Sequence, residues 1–99
     1  MAFNQGEATI DFGAFPGSNE ASIAVADATI TDAADAEAYV MGDDTSGTHT
    51  ANDHRYLRAL GTDFTCGEAV AGVGFTIYGR SVHKLQGTFK LRWVWSDGA

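Results

Sequence analysis

The 99-residue chain has a single cysteine and no long apolar run. Its one cysteine, Cys66, excludes an internal disulfide, and its apolar runs of four or five residues are far too short to span a membrane. The N-terminal MAFNQGEA has neither the basic start nor the apolar stretch of a signal peptide. We therefore expect a protein that is made in the cytoplasm. Cys66, in the strand-like stretch DFTCGEA, is more typical of a small buried hydrophobe than of a nucleophile.

Proline is equally scarce, since Pro16 is the only one, whereas twelve glycines are spread along the chain. This composition is typical of short strands joined by tight turns. The length indicates one domain with a core of its own, to which six Phe, three Tyr and two Trp contribute.

Basic residues are absent from the first half of the chain. Residues 1–54 contain ten Asp and Glu and no Lys or Arg, whereas all six bases follow, and the net charge is −7. A chain this acidic is poorly suited to nucleic acid. The split has two interpretations: acidic strands pair with basic ones inside one fold, which we favour, or the acidic edge of one copy meets the basic edge of the next.

Alternation of apolar and polar residues predicts most of the strands. In 88–95, one face carries Phe89, Leu91, Trp93 and Trp95, of which Phe89, Leu91 and Trp93 are predicted as core, and Trp95 adjoins the polar SDGA end. Residues 74–80, 8–12 and 21–25 alternate in the same way, SVHKLQG is interpreted as a hairpin connection closed by Gly87, and a strand is favoured from Glu37 to Met41.

A short helix is predicted over Thr50–Leu60, with Thr50 as cap and Gly61 as terminator. The sum is an all-β fold, an antiparallel β-sandwich of about six strands with one short helix near residues 50–60. Residues 7–99 form this single domain, and residues 1–6 form an N-terminal arm whose Phe3 has no local apolar partner.

The segment GDDTSGTHTANDHRY, residues 42–56, concentrates potential metal ligands. His49 and His54 are five residues apart, however, and on a helix they would point about 140° from one another, unlike i, i+4 ligands. Asp53 diverges likewise. Turns and a helix cap account for these side chains, so we predict no metal and no cofactor here.

Other catalytic patterns are missing too. The sequence has no nucleophile elbow, no cysteine pair for zinc and no phosphate-binding glycine loop, because the glycines of GVGFTIYG lie in a strand pattern. We therefore predict a protein that is not an enzyme.

Three stretches, ATIDFGAFPGSNEASIAV, GDDTSGTHTANDHRY and GFTIYGRSVHKLQGTFKLRWVW, together resemble a family of small virion structural proteins of tailed bacteriophages and prophages. Residues 26–36 depart from the family pattern, in which a glycine-containing turn is typical. The resemblance implies a non-enzymatic building block that decorates the capsid or forms part of the tail, located in the virion after assembly in the host bacterial cytoplasm. It supplies no catalytic residues.

The implied partners are further copies of the chain, in a symmetric oligomer such as a trimer or hexamer, and other virion proteins, with no nucleic acid and no membrane. The predicted contact residues are Phe3, Arg80, Lys84, Lys90 and Arg92. An alternative is a host-recognition module of a tail fibre that binds a surface glycan, because GTFKLRWVW resembles the last strand of small trimeric lectin-like domains. A metal-dependent enzyme using residues 43–54 is the third hypothesis.

Overall fold

The computed structural model describes residues 3–14, 16–40 and 57–97, the side chain of Arg58 excepted. It contains six strands, all in antiparallel pairs, and one short 3-10 helix at Leu57–Leu60. The strands are β1 (Phe3–Asp11), β2 (Ser18–Ala26), β3 (Asp35–Val40), β4 (Thr62–Cys66), β5 (Gly74–Leu85) and β6 (Thr88–Ser96). Two three-stranded sheets pack together, sheet A in the order β1-β6-β3 and sheet B in the order β2-β5-β4. This confirms the all-β, sandwich-like fold.

The predicted helix is described only at its last turn, where Gly61 follows it with a positive φ of 74°. Residues 50–56 lie outside the described part of the chain. The predicted strand from Glu37 begins slightly earlier, at Asp35, and is described as far as Val40.

Sheet A is organised around β6, whose inward face was predicted from its alternation. Phe89, Leu91, Trp93 and Trp95 are all buried. Trp95, which alternation places on this face although it adjoins the polar chain end, is only 1% exposed, and its indole nitrogen bonds a buried carboxylate, described below. Burial of a polar atom costs little free energy when the atom has a hydrogen-bond partner, as the indole nitrogen of Trp95 has.

The prediction of an N-terminal arm at residues 1–6 is also corrected, because residues 3–6 lie in β1. β1 begins at Phe3, which pairs with Ser96, and Gly6 pairs with Trp93. A Cβ on Gly6 would lie 2.5 Å from Cζ2 of Trp93, so the glycine leaves room for the buried indole. Residues 3–6 therefore belong to the sheet rather than to a separate arm.

Sheet B is organised around β5, which is longer than predicted. Its inward residues Phe75 and Ile77 are buried. The connection expected at residues 81–87 is mostly strand, since β5 continues to Leu85 and only Gln86 and Gly87 separate it from β6. Gly87 has a φ of 77°, in agreement with its predicted role in closing the turn.

The core lies between the two sheets. β1 contacts β2 at one side and β3 contacts β4 at the other, so β5 and β6 run through the middle of their sheets. One edge-to-face pair crosses this interface, Phe75 of β5 with Trp93 of β6 at a centroid distance of 5.5 Å, and a second, Phe12 with Phe89, lies on the sheet A side of the core. Such pairs add specific geometry to the burial of apolar area. The outer faces of both sheets remain as candidate surfaces for function.

Candidate functional site: the outer face of sheet B

The predicted contact residues do not form one surface. Phe3, Lys90 and Arg92 lie on the outer side of sheet A, whereas Arg80 and Lys84 lie on β5 of sheet B. Phe3 is 68% exposed, and Arg80 and Lys84 are exposed as well. These five residues are predicted as contacts because four are basic and one is apolar, but the sequence does not show which sheet each strand joins.

Among the described residues, three of the four predicted contact bases already have an acidic partner within the chain. Nη2 of Arg92 donates to Oε1 of Glu7 at 2.9 Å, and Nζ of Lys90 lies 3.5 Å from the same oxygen. On sheet B, Nε of Arg80 lies 3.7 Å from Oε1 of Glu20, with both side chains largely exposed. The acidic first half and the basic second half therefore meet inside the fold, because β1 and β2 lie beside β6 and β5.

The outer face of sheet B carries two adjacent rows of side chains that span all three strands. In one row Tyr78 has Ser22 on β2 and Thr65 on β4 as its register neighbours. In the other, Arg80 has Glu20 and Asp63. We call the surface formed by these six residues the Tyr78 face.

Tyr78 is 51% exposed and is positioned by a glycine. A Cβ on Gly67 would lie 3.0 Å from Cε2 of Tyr78, so the missing side chain lets the ring lie against the backbone. The amide of Gly67 donates to the carbonyl of Thr76 at 2.7 Å, which holds this backbone beside β5. The ring thus has one supported edge, and half of its area is open to solvent.

A depression of about 660 Å³ lies over the Tyr78 face. Its lining includes Glu20, Asp63, Thr65, Tyr78, Arg80 and Val82. The lining combines an aromatic ring, two carboxylates, a guanidinium and a hydroxyl. This set suits the binding of a polar molecule that also has an apolar face.

A bulge in β5 shapes one end of the depression. The register between β2 and β5 shifts between Ser18 and Glu20, and Nδ2 of Asn19 donates to the carbonyls of Ser81 and Val82, at 3.1 Å each. The shift leaves Val82 75% exposed, beside Gly61. Bulges re-aim side chains in this way. This one interrupts the alternation of buried and exposed residues within SVHKLQG, the stretch predicted as a connection.

A second polar cluster, which the sequence did not reveal, is buried at the other end of the sandwich. The carboxylate of Asp27 accepts hydrogen bonds from Nε1 of Trp95 at 2.8 Å, Nδ2 of Asn4 at 3.0 Å, and the amide and hydroxyl of Thr29 at 2.9 and 2.7 Å. We call these four residues the Asp27 clamp. The hydrogen bond from the Thr29 hydroxyl is the largest cause of a fall in the pKa of Asp27, from 3.8 to about 2. Burial acts in the opposite direction, and the bonds from Trp95, the Thr29 amide and Asn4 lower the pKa further.

The clamp connects three elements: β1 through Asn4, β6 through Trp95, and the connection that follows β2. Because its carboxylate is ionised and fully engaged, its role is structural. The signal for it in the sequence was weak, since Asp27 is one of three aspartates in ADATITDAADA and resembles any turn aspartate.

Cys66 is half-buried on β4 and packs against the core. Burial, with a smaller effect of the Glu37 carboxylate, raises the pKa of its thiol. This environment favours the protonated, unreactive form.

Residues 3–14, 16–40 and 57–97 contain no group of three or more His, Cys, Asp or Glu that could hold a metal ion. His49, Asp53 and His54 lie outside these ranges, and the prediction for them stays a prediction. In the same ranges no helix is long and apolar enough to cross a membrane.

Comparisons with protein-family models, curated proteins and solved structures give no match. The resemblance to phage virion proteins therefore remains a hypothesis, and the function has to be inferred from the surfaces of the fold.

Proposed function

We propose that the chain is a non-enzymatic structural protein of a tailed-phage virion, a small repeated building block that decorates the capsid or forms part of the tail. Two things support this: the sequence resemblance, and an apolar surface at one end of the sandwich that suits contact with another protein. The apolar surface is the observation on which the proposal depends, because it is independent of the resemblance.

We give the name apolar end to three exposed side chains at this end, those of Phe3, Val70 and Val73, which are 68%, 54% and 64% exposed. Single exposed apolar side chains are common on monomers. Here three of them lie at the end of the sandwich that holds Asp27, Phe3 on the outer side of sheet A and the two valines in the connection before β5. Exposed apolar residues concentrated in one part of a molecule are typical of interaction sites.

Hydrogen bonds hold the apolar end in place. The carbonyl of Val73 accepts from the amide of Asp27 at 3.0 Å, and the carbonyl of Ile30 accepts from the amide of Gly72 at 3.0 Å. The Asp27 clamp then links this turn to Asn4, next to Phe3. A surface that is ordered before contact loses less conformational entropy on association.

The contact that we propose is apolar rather than ionic. Contacts of the acidic half with Arg80, Lys84, Lys90 or Arg92 of the next copy would make association weaken in salt, but Glu7 contacts Lys90 and Arg92 within one copy, and Arg80 lies near Glu20. Screening of exposed charges should therefore change association little. A second copy of the chain is the favoured partner, and another virion protein is the alternative.

Light scattering of the pure protein tests the proposal. Phe3→Ser and Val73→Ser should each shift the equilibrium from oligomer towards monomer, whereas Val82→Ser is a matched control, because Val82 is equally exposed but about 25–30 Å away along β5. The wild-type oligomer should persist at high salt.

If the wild type is monomeric, particles of the encoding phage or prophage decide the question. Mass spectrometry should detect the chain in purified particles, and Phe3→Ser should lower its copy number relative to Val82→Ser. Particles without the chain, together with a monomeric wild type, would refute the proposal.

The second candidate is the host-recognition module of a tail fibre. The half-exposed Tyr78, set among carboxylates and hydroxyls, is the observation that favours it, since such a surface is suited to a ligand rather than to close packing of another β-sheet.

A further inference from the structure

We infer that the Tyr78 face is a binding site for a neutral oligosaccharide. The inference makes the second candidate function specific and rests on it. It does not depend on assembly through the apolar end, which lies elsewhere on the molecule.

The aromatic ring supplies the apolar half of the recognition. A pyranose presents C–H groups on one face and hydroxyls around its rim, so an exposed tyrosine ring that is fixed in orientation is a suitable surface for it. Tyr78 meets both conditions, since it is 51% exposed and lies against Gly67. Its register neighbours on β2 and β4 are the short Ser22 and Thr65, which leave the ring accessible.

The neighbouring row supplies the polar half. Residues two apart on a strand are about 6–7 Å apart on the same face, close to the width of a sugar ring. A sugar on Tyr78 would therefore reach Arg80 and the carboxylate of Asp63 with its hydroxyls. Carboxylates accept from hydroxyls and guanidinium groups donate to them, and such bonds are stronger than those between neutral groups.

The size of the depression also fits. Its volume of about 660 Å³ lies within the range of small-molecule sites, about 300–1,000 Å³, and it is an open surface feature rather than an enclosed cavity. Val82, raised by the β5 bulge, forms an apolar boundary at one end. An open site of this shape suits a short segment of a longer glycan chain.

Charge selects among glycans. The row contains two carboxylates, Glu20 and Asp63, on either side of one base, Arg80, which already lies near Glu20. The whole chain carries a net charge of −7. Sialylated, uronic-acid or phosphorylated glycans would be repelled, so we infer a neutral ligand.

The test is a glycan array that includes neutral and acidic oligosaccharides and bacterial surface polysaccharides, followed by a ¹⁵N HSQC titration with the best ligand. Binding should favour neutral glycans, and the shifted amides should lie on β2, β4 and β5. Tyr78→Ala should weaken binding at least about tenfold, which is about 1.4 kcal/mol. Asp63→Asn should weaken binding as well.

Tyr39→Ala is the matched control. Tyr39 is also an exposed tyrosine, 44% accessible, but it lies on β3 in the other sheet, so its removal should leave the affinity unchanged.

Three results would overturn the inference: no neutral glycan bound, acidic glycans bound equally well, or amide shifts confined to sheet A. Because Phe3→Ser leaves the Tyr78 face intact and Tyr78→Ala leaves the apolar end intact, failure of this inference and failure of the assembly proposal are distinguishable.

Discussion

Replacing Asp27 should destabilise the fold by a margin that depends on pH. Asp27→Asn keeps the size of the side chain but exchanges one acceptor oxygen for an NH₂ group. In one orientation this group faces Nε1 of Trp95 and Nδ2 of Asn4, and in the other it faces the amide of Thr29. Every orientation therefore places donor against donor. A buried donor without an acceptor costs about 1–3 kcal/mol.

The pKa of Asp27 gives a second value for the contribution of this residue to the free energy of unfolding. A fall from 3.8 to about 2 corresponds to roughly 2.4 kcal/mol at 1.36 kcal/mol per pH unit, and solvent screening near the end of the sandwich lowers this. Both values are about 2 kcal/mol at pH 7. Because the folded-state pKa is depressed, this stabilisation is complete above pH 4 and is lost as the pH falls through about 2.

Urea unfolding followed by far-ultraviolet circular dichroism, at several pH values between 7 and 2, measures this difference. Wild type and Asp27→Asn should differ by about 2 kcal/mol at pH 7 and should converge towards pH 2. Asp32→Asn is the matched control: it removes an exposed carboxylate from the same connection and should change stability by less than about 0.5 kcal/mol. An Asp27→Asn effect that is below 0.5 kcal/mol at pH 7, or independent of pH, would refute the role assigned to the clamp.

Three further substitutions or reactions test the fold. Trp93→Ala should cost about 3–5 kcal/mol, because it empties a buried aromatic site, and an unchanged melting temperature would show that this face is not core. Gly6→Ala should cost about 1–3 kcal/mol in chemical denaturation, since the new methyl group would overlap the indole of Trp93, and a neutral result would contradict the packing there. Cys66 should react with a thiol reagent at pH 8 much more slowly in the folded protein than in urea, and equal rates would contradict the raised pKa of its thiol.

The predictable part of this fold is the part that depends on period-2 alternation. The faces of β5 and β6 follow from the order of apolar residues, because one side of each strand is buried against the other sheet. Gly61 and Gly87 follow from the need for a positive φ after a helix and in a turn. Local chemistry is enough for these features.

The features that could not be predicted from the sequence depend on hydrogen bonds between residues that are distant along the chain. Asn4 and Trp95 become polar partners only because Asp27 lies between them in space. The sequence does not show these bonds, so residues 1–6 are predicted as an arm outside the domain, and for Trp95 only the alternation of β6 indicates a buried face. The β5 bulge depends likewise on Asn19, which bonds two carbonyls more than 60 residues away.

The charge split shows how topology changes the meaning of a sequence pattern. Acids in the first half and bases in the second suggest two complementary surfaces, and a simple β-meander would leave them apart. In this fold β1 lies beside β6 and β2 beside β5, so each acidic strand lies next to a basic one. Glu7 thereby contacts both Lys90 and Arg92, whereas Arg80 lies between two acids on an exposed face. Within the described residues, Lys90 and Arg92 of sheet A therefore contact an acid of the same sheet, whereas the outer face of sheet B combines the half-exposed Tyr78 with two carboxylates and a guanidinium, the set for which we propose a ligand.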